Sequence, residues 1–300
     1  MSFDPQTEVL PLIGSKEGIA HLPLAFVNAG DTVLVPDPGY PPYWSGTLFA
    51  GGTPYPLPLK EGNGFLPDLE AIPAEVLGKA KIIFVNYPNN PTGAVAPRDF
   101  YEKLVRWAAE RRILVASDLA YSEIYFGKER PSSIFEVPGA KETAIEFHSL
   151  SKTCNMTGWR VGFAVGRAEI TSALLCVKSN LDSGVFTAIQ EAAVEALKQS
   201  FQFTKRANAL YKRRRDLLVA GLRSLGFPVK PNPATFYVFT RLPKGRRDST
   251  QFCKELLERT GIVATPGVGF GRAGEGYVRF TLTVPEAAIR EALRRMKEKL

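Results

Sequence analysis

Cysteine is scarce in this chain, with three in 300 residues and no CxxC pair among Cys154, Cys176 and Cys253. That spacing argues against a disulfide framework and against a zinc site, and it suits a reducing cytoplasm. No apolar run is long enough to span a bilayer. The first residues, Met1-Ser2-Phe3-Asp4-Pro5, lack a basic stretch followed by an apolar one, so no secretory signal is expected. Internal repeats and low-complexity tracts are also missing from the sequence. What is there is ordinary for a globular protein: 45% hydrophobic and 23% charged residues, in a length that suits one large domain or two smaller ones.

Charge is unevenly spread. The net charge is +8, yet residues 201–300 hold 21 Lys+Arg against 8 Asp+Glu. A basic half can mark a nucleic-acid or anionic-substrate surface. Here the basic residues fall mainly on helix-like stretches, 205–223 and 290–299, without interleaved aromatics or a nucleic-acid motif. They read as solvated helix faces, and neither nucleic acid nor membrane is an expected partner.

Along the first half of the chain, short buried strands alternate with helical patterns. Gly14-Ser15-Lys16-Glu17-Gly18 opens a helix with Ser15 as the expected N-cap, and the free N–H groups of such a start make a ready anion site. A strand at 32–35 runs into Pro36-Asp37-Pro38-Gly39-Tyr40-Pro41-Pro42-Tyr43-Trp44, where an aromatic fixed between prolines offers a rigid face for a flat ring. A helix is expected at 44–50, a strand at 53–59 and a helix at 66–77. Strand 81–86 is apolar almost throughout, as in a parallel sheet, and ends in the specified turn Tyr87-Pro88-Asn89-Asn90-Pro91-Thr92-Gly93. An amphipathic helix at 97–111 precedes strand 113–118, which ends in Asp118 with Tyr121 three residues on. Strand 144–147 leads into Ser149-Leu150-Ser151-Lys152, and Arg160 stands at the front of the next apolar strand. Strand–helix alternation with polar clusters just past the strand ends predicts an α/β fold: a mostly parallel sheet covered by helices, its site outside the carboxyl ends.

From residue 168 the pattern changes. Helices at 169–178, 186–199, 201–223, 250–259 and 285–300, with strands at 235–240, 262–265 and 277–282 and a glycine loop at 267–276, predict a smaller α+β unit. The chain divides accordingly into a large domain, 1–204, and a small C-terminal domain, 205–300.

A lysine past the end of a buried strand is costly unless its amine is used, because desolvation disfavours the charged form and only a neutral amine attacks a carbonyl. Taken alone, Lys152 also reads as a lysine in a solvated surface turn. Its neighbours sharpen the choice. Asp118 is an acid at an adjoining strand end, Asn90 and Tyr121 are hydrogen-bonding groups at strand ends, and Tyr40 is a stacking surface. Ser15, Lys16, Ser149, Ser151 and Arg160 can hold a phosphate. An imine-forming lysine, an acid for a ring nitrogen, donors for a phenolic oxygen, an aromatic face and a phosphate cup are the parts that pyridoxal 5'-phosphate requires.

Four motifs together carry a resemblance: Pro38-Gly39-Tyr40-Pro41, Asn86-Tyr87-Pro88-Asn89-Asn90-Pro91-Thr92-Gly93, Asp118-Leu119-Ala120-Tyr121, and Ser149-Leu150-Ser151-Lys152 with Arg160. In these the chain resembles the class I/II aminotransferases of the pyridoxal-phosphate fold type I superfamily. The wording of Thr7-Glu8-Val9-Leu10-Pro11-Leu12-Ile13-Gly14-Ser15-Lys16-Glu17-Gly18-Ile19 and of Asn180-Leu181-Asp182-Ser183-Gly184 is similar to the LL-diaminopimelate and N-succinyldiaminopimelate aminotransferase-like branch. The resemblance covers nearly all of the chain. It implies a seven-stranded-type sheet with helices on both faces. It also implies a cytoplasmic homodimer that moves an amino group between an amino acid and a 2-oxo acid, with a diaminopimelate-type reaction of lysine biosynthesis favoured. It further implies that Lys152 binds the cofactor covalently and shuttles a proton, with Asp118 and Tyr121 beside it in catalysis. Arg279, in Tyr277-Val278-Arg279-Phe280, matches the arginine that grips the substrate α-carboxylate, with Asn90 and Tyr40 alongside. The resemblance also implies that Ser183 or its neighbours in the loop before Val185 reach a partner subunit's phosphate.

The same motifs serve a carbon–sulfur β-lyase, which stays open as an alternative, as does a cofactor-binding homologue without turnover. Family members carry a long segment ahead of the position of Thr7, so the chain reads as N-terminally shortened relative to them.

Overall fold

The apolar runs become the strands of a seven-stranded sheet in the computed structural model, which describes residues 1–300, the side chains at positions 200 and 201 excepted. In chain order the strands are β1 (Val9–Leu12), β2 (Thr32–Asp37), β3 (Thr53–Pro58), β4 (Ala80–Asn86), β5 (Leu114–Asp118), β6 (Ala144–Ser149) and β7 (Gly162–Gly166). Their order across the sheet is β1-β7-β6-β5-β4-β2-β3. From β3 to β6 every pairing is parallel, whereas β7 runs against both its neighbours. The carboxyl ends of β2, β4, β5 and β6 therefore share one edge.

Alternate residues of each strand face opposite sides, so one strand feeds two cores. Ile82 and Phe84 of β4, with Val33 and Val35 of β2, pack under α1 (Ser15–Phe26), α2 (Pro41–Phe49) and α7 (Ala168–Ser179) through Ile19, Leu22, Tyr43, Ile170 and Leu174. Ile83 and Val85 face the other way, against Phe100, Leu104 and Trp107 of α4 (Arg98–Arg111). Short helices α3 (Ala74–Leu77), α5 (Ala140–Thr143) and α6 (Leu150–Thr153) fill the connections.

A second sheet is antiparallel, in the order β8-β10-β9, formed by β8 (Tyr237–Arg241), β9 (Thr265–Pro266) and β10 (Tyr277–Thr281). Its core joins Val238, Val278 and Phe280 to Phe252 and Leu256 of α9 (Ser249–Thr260), Ile289 and Met296 of α10 (Glu286–Lys299), and Leu218 and Leu222 of α8 (Thr187–Ser224). The expected boundary at 204/205 lies inside α8. Its Ala193 packs with Leu150, Met156 and Val161 beside the large sheet.

Several local expectations are corrected. The helices at 186–199 and 201–223 are one element of 38 residues, since neither proline nor glycine interrupts the chain from 187 to 220. The helix at 66–77 shrinks to four residues, because Pro73 takes an extended N-cap conformation that begins a helix rather than continuing one. The helix expected at 44–50 starts earlier, at Pro41, as prolines in the first turn allow. Pro285, in turn, is the N-cap of α10 rather than its first residue. The basic excess of α8 is not all solvated. Arg215 is buried, donates to the Asn232 carbonyl at 2.8 Å, and lies over the Phe126 ring. Among the described residues, no helix is long and apolar enough to cross a membrane.

Candidate active site

Parallel strands place their C-terminal residues on one edge, where chain-distant side chains meet. Asn86 ends β4 and the Asn90 loop follows. Asp118 ends β5, Lys152 lies in α6 directly after β6, and Tyr40 precedes α2 just past β2. The small sheet closes over this edge with Tyr237, Thr265 and Arg279. Between them is a cavity of about 380 Å³. Of the expected site residues, Ser15, Tyr40, Asn90, Asp118, Tyr121, Lys152 and Arg279 line it.

Asp118 is buried, and burial raises its pKa above the usual carboxylate range. Opposing that, Tyr43 donates its hydroxyl to Oδ2 at 2.7 Å, the Ala120 N–H donates to Oδ1 at 3.2 Å, and the Lys152 charge lies nearby. Burial lowers the pKa of Lys152; Asp118 resists the shift and Arg160 adds to it. Both shifts favour the uncharged forms and share one cause, the low polarity of the cavity. Burial likewise pushes the Tyr40 hydroxyl up to about 12, so it stays protonated.

The Asn90 loop is fastened from within. Asn86 donates to the Asp118 carbonyl at 2.8 Å and accepts the Asn90 N–H at 2.8 Å, locking the ends of β4 and β5 together. The side-chain oxygen of Asn90 accepts from Arg279 Nη1 at 2.7 Å, which leaves its amide N–H groups as the donors. Tyr121 donates to the Tyr237 hydroxyl at 3.3 Å. Arg279 lies between the rings of Tyr237 and Phe270, and among the described residues no carboxylate pairs with it.

The anion cup is built around the start of α1. Gly14, not Ser15, is the N-cap, and no side chain caps it. A serine here would fill the space that Arg160 occupies: a Cβ on Gly14 would collide with the Arg160 guanidinium, and its φ of 73° is a left-handed conformation. Arg160 donates to the Thr157 carbonyl at 3.0 Å and to Ser151 Oγ at 3.4 Å, which points it at the uncapped N–H groups of α1. Ser151 and Ser149 are both buried; Ser149, Ser151, Arg160 and the exposed Lys16 all stand off the cavity wall.

This donor set fits pyridoxal phosphate. A neutral-leaning lysine faces a buried carboxylate in one cavity, and a helix start without a side-chain cap stands against a guanidinium, as a phosphate requires. Sequence reasoning missed Tyr43 and Tyr237. Tyr43 sits one helical turn after Tyr40, a spacing that points inward only once α2 is known to begin at Pro41. Phe270, in the glycine loop, left no periodic signal.

Comparison with known proteins agrees with the geometry. The family model described as aminotransferase class I and II matches residues 1–296. The chain is 54% identical over 297 residues to the LL-diaminopimelate aminotransferase of Aquifex aeolicus, covering 99% of this chain and 76% of that protein. To the LL-diaminopimelate aminotransferase of Halothermothrix orenii it is 54% identical over 295 residues, covering 98% and 76%. Among solved structures, apo-BacF of Bacillus subtilis superposes with a TM-score of 0.96 at 40% identity, covering 100% of this chain and 77% of that one. The N-succinyldiaminopimelate aminotransferase of Mycobacterium tuberculosis gives 0.90 at 30%, covering 99% and 79%.

Proposed function

We propose, on the premise that this chain belongs to the class I and II aminotransferases and is a pyridoxal-phosphate-dependent transaminase, that its amino donor is a diaminopimelate-type amino acid. The carrying observation is the identity of 54% over 99% of the chain to a curated LL-diaminopimelate aminotransferase. The convergence of Lys152, Asp118 and Arg279 on one cavity supplies the matching chemistry.

When bound, pyridoxal phosphate supplies a conjugated ring that accepts the electron pair released at the substrate Cα. Arg279 binds and orients the substrate α-carboxylate with its planar fork. Lys152 Nζ, biased toward the neutral amine, would take up the proton that leaves the substrate Cα and carry it as an ammonium until it is given back. Asp118, steadied by Tyr43 and Ala120, would hold the proton on the ring nitrogen. Asn90 would donate to the ring oxygen, Tyr121 would do so once its contact with Tyr237 is reversed so that the Tyr237 hydroxyl donates, and Tyr40 would offer a flat face for the ring. Ser15, Ser151, Arg160 and the start of α1 would bind the phosphate.

A homodimer in the cytoplasm is part of the same reading. Phe49 is 77% exposed and Phe186 71%, apolar surface that a second copy would cover. The three free cysteines suit a reducing compartment.

A panel of amino acids offered with 2-oxoglutarate to the cofactor-loaded protein tests the reading. LL-diaminopimelate is expected to give full turnover, with glutamate as product. Pyruvate and ammonia released from cystathionine, with no amino transfer to any 2-oxo acid, would replace it with a β-lyase.

A further inference from the structure

We propose that Tyr237 is a positioning residue for Arg279, the platform that holds the guanidinium ready for a substrate carboxylate; this rests on the carboxylate-binding reading of Arg279 given above. The register of the small sheet brings the two together. β8 and β10 pair antiparallel with Tyr237 opposite Thr281 and Phe239 opposite Arg279. Residues two apart on a strand share a face, so Tyr237 and Arg279 are diagonal neighbours on the face that closes the cavity.

The guanidinium carbon lies 4.0 Å from the centre of the Tyr237 ring and 4.5 Å from that of Phe270. The guanidinium thus lies over two rings, and its nitrogens make the hydrogen bonds, Nη1 to Asn90 Oδ1 at 2.7 Å and Nη2 to Thr265 Oγ1 at 3.4 Å. Thr265 stands directly opposite Arg279 in β9. Aromatic faces attract the cation without neutralising it. A carboxylate in their place would hold the arginine equally well and compete with substrate for it. Fixing a long side chain before binding also removes an ordering cost that would otherwise weaken the complex.

The platform is itself fixed. Tyr121 donates to the Tyr237 hydroxyl at 3.3 Å, and the Tyr237 ring packs edge-on against Tyr121 at 5.9 Å and Phe236 at 4.8 Å. Arg279, on the small sheet, is therefore registered against the loop that follows β5 of the large sheet.

Calorimetric titration of succinate, an unreactive carboxylate, into the cofactor-loaded protein tests this. Tyr237→Leu is expected to weaken succinate binding about tenfold, the scale of a desolvated cation–π contact. Tyr237→Phe keeps the ring and is expected to stay within about twofold of the parent. In steady state Tyr237→Leu should raise KM far more than it lowers kcat, the mark of lost ground-state binding. Circular dichroism and melting confirm folding, and Tyr237→Met takes the place of the leucine variant if that one does not fold. Arg279→Ala is the control. If it binds succinate like the parent, the carboxylate reading of Arg279 fails. If it loses succinate while Tyr237→Leu and Tyr237→Met keep parental affinity, that reading stands and the role of Tyr237 is overturned. A loss shared equally by Tyr237→Phe and Tyr237→Leu also overturns the platform, because the ring would then not be what matters.

Discussion

Tyr43→Phe isolates a single bond at the base of the site. Tyr43 is fully buried, stacks on Phe84 at 4.7 Å, and donates to Asp118 Oδ2 at 2.7 Å. Phenylalanine keeps the ring and the stack and removes only the donor. A hydrogen bond to a charged partner contributes about 2 kcal/mol, so its loss should raise the Asp118 pKa further in the variant. The stability consequence has a definite sign. Burial already holds the folded pKa of Asp118 above its ordinary 3.8, so ionisation of this group costs the folded state stability as pH rises through that range. Raising the pKa further enlarges that cost at every pH where the folded-state group is ionised. At about pH 3 the carboxyl is protonated in both states, and only a neutral bond of about 1 kcal/mol is lost. With an unfolding entropy of about 0.6 kcal/mol/K for a chain this long, the Tm should drop by about 3 °C near pH 7 and by about half that at pH 3. Scanning calorimetry of the cofactor-free protein at the two pH values reads this directly. An equal drop at both would mean that the phenol acts through packing alone, and no drop near pH 7 would mean that Asp118 does not depend on the bond.

Lys152→Ala should leave no borohydride-reducible link between protein and cofactor, and finding the reduced adduct on a different lysine would displace the assignment. Gly14→Ala should weaken cofactor retention about tenfold by equilibrium dialysis, since the added Cβ both strains a left-handed residue and pushes Arg160 out of the cup; unchanged retention would show that Arg160 does not hold the phosphate. Arg246 and Arg259 hold the Glu255 carboxylate down to about 2, so the pairs add stability above its ordinary 4.5 that fades as pH falls toward about 2. Glu255→Gln should therefore melt below the parent near pH 6 and converge with it near pH 2, and parallel melting curves across that range would contradict the pairing.

Much of this architecture was legible because burial writes itself locally. Apolar runs such as 81–86 and 113–118 gave the strands, and polar clusters just beyond them gave Asn90, Asp118 and Lys152. Contacts between distant segments were not legible. Tyr43 meets Asp118 across 75 positions and Tyr121 meets Tyr237 across 116, and only the strand order and the docking of the small sheet bring them together. Lys16, Ser149, Ser151 and Arg160 lie off the cavity wall for a related reason. Sequence proximity to the cup says nothing about which side of a turn a side chain takes, and Lys16 turned outward while Ser149 packed inside. The single long α8 reads as two helices in the sequence because periodicity alone does not reveal where a helix continues without a stop.

That helix has a mechanical meaning. At 38 residues it is about 57 Å of stiff rod. Near one end Ala193 is clamped in the Leu150 and Met156 cluster, whose turn bears Lys152; toward the other, Leu218 and Leu222 are embedded in the core that carries Arg279 on its sheet. The two groups proposed to serve the substrate Cα and its carboxylate are thus mounted on one beam. Any tilt of the small sheet turns that beam about its clamped end, so the alignment of proton carrier and carboxylate holder is a question of leverage as much as of local contacts.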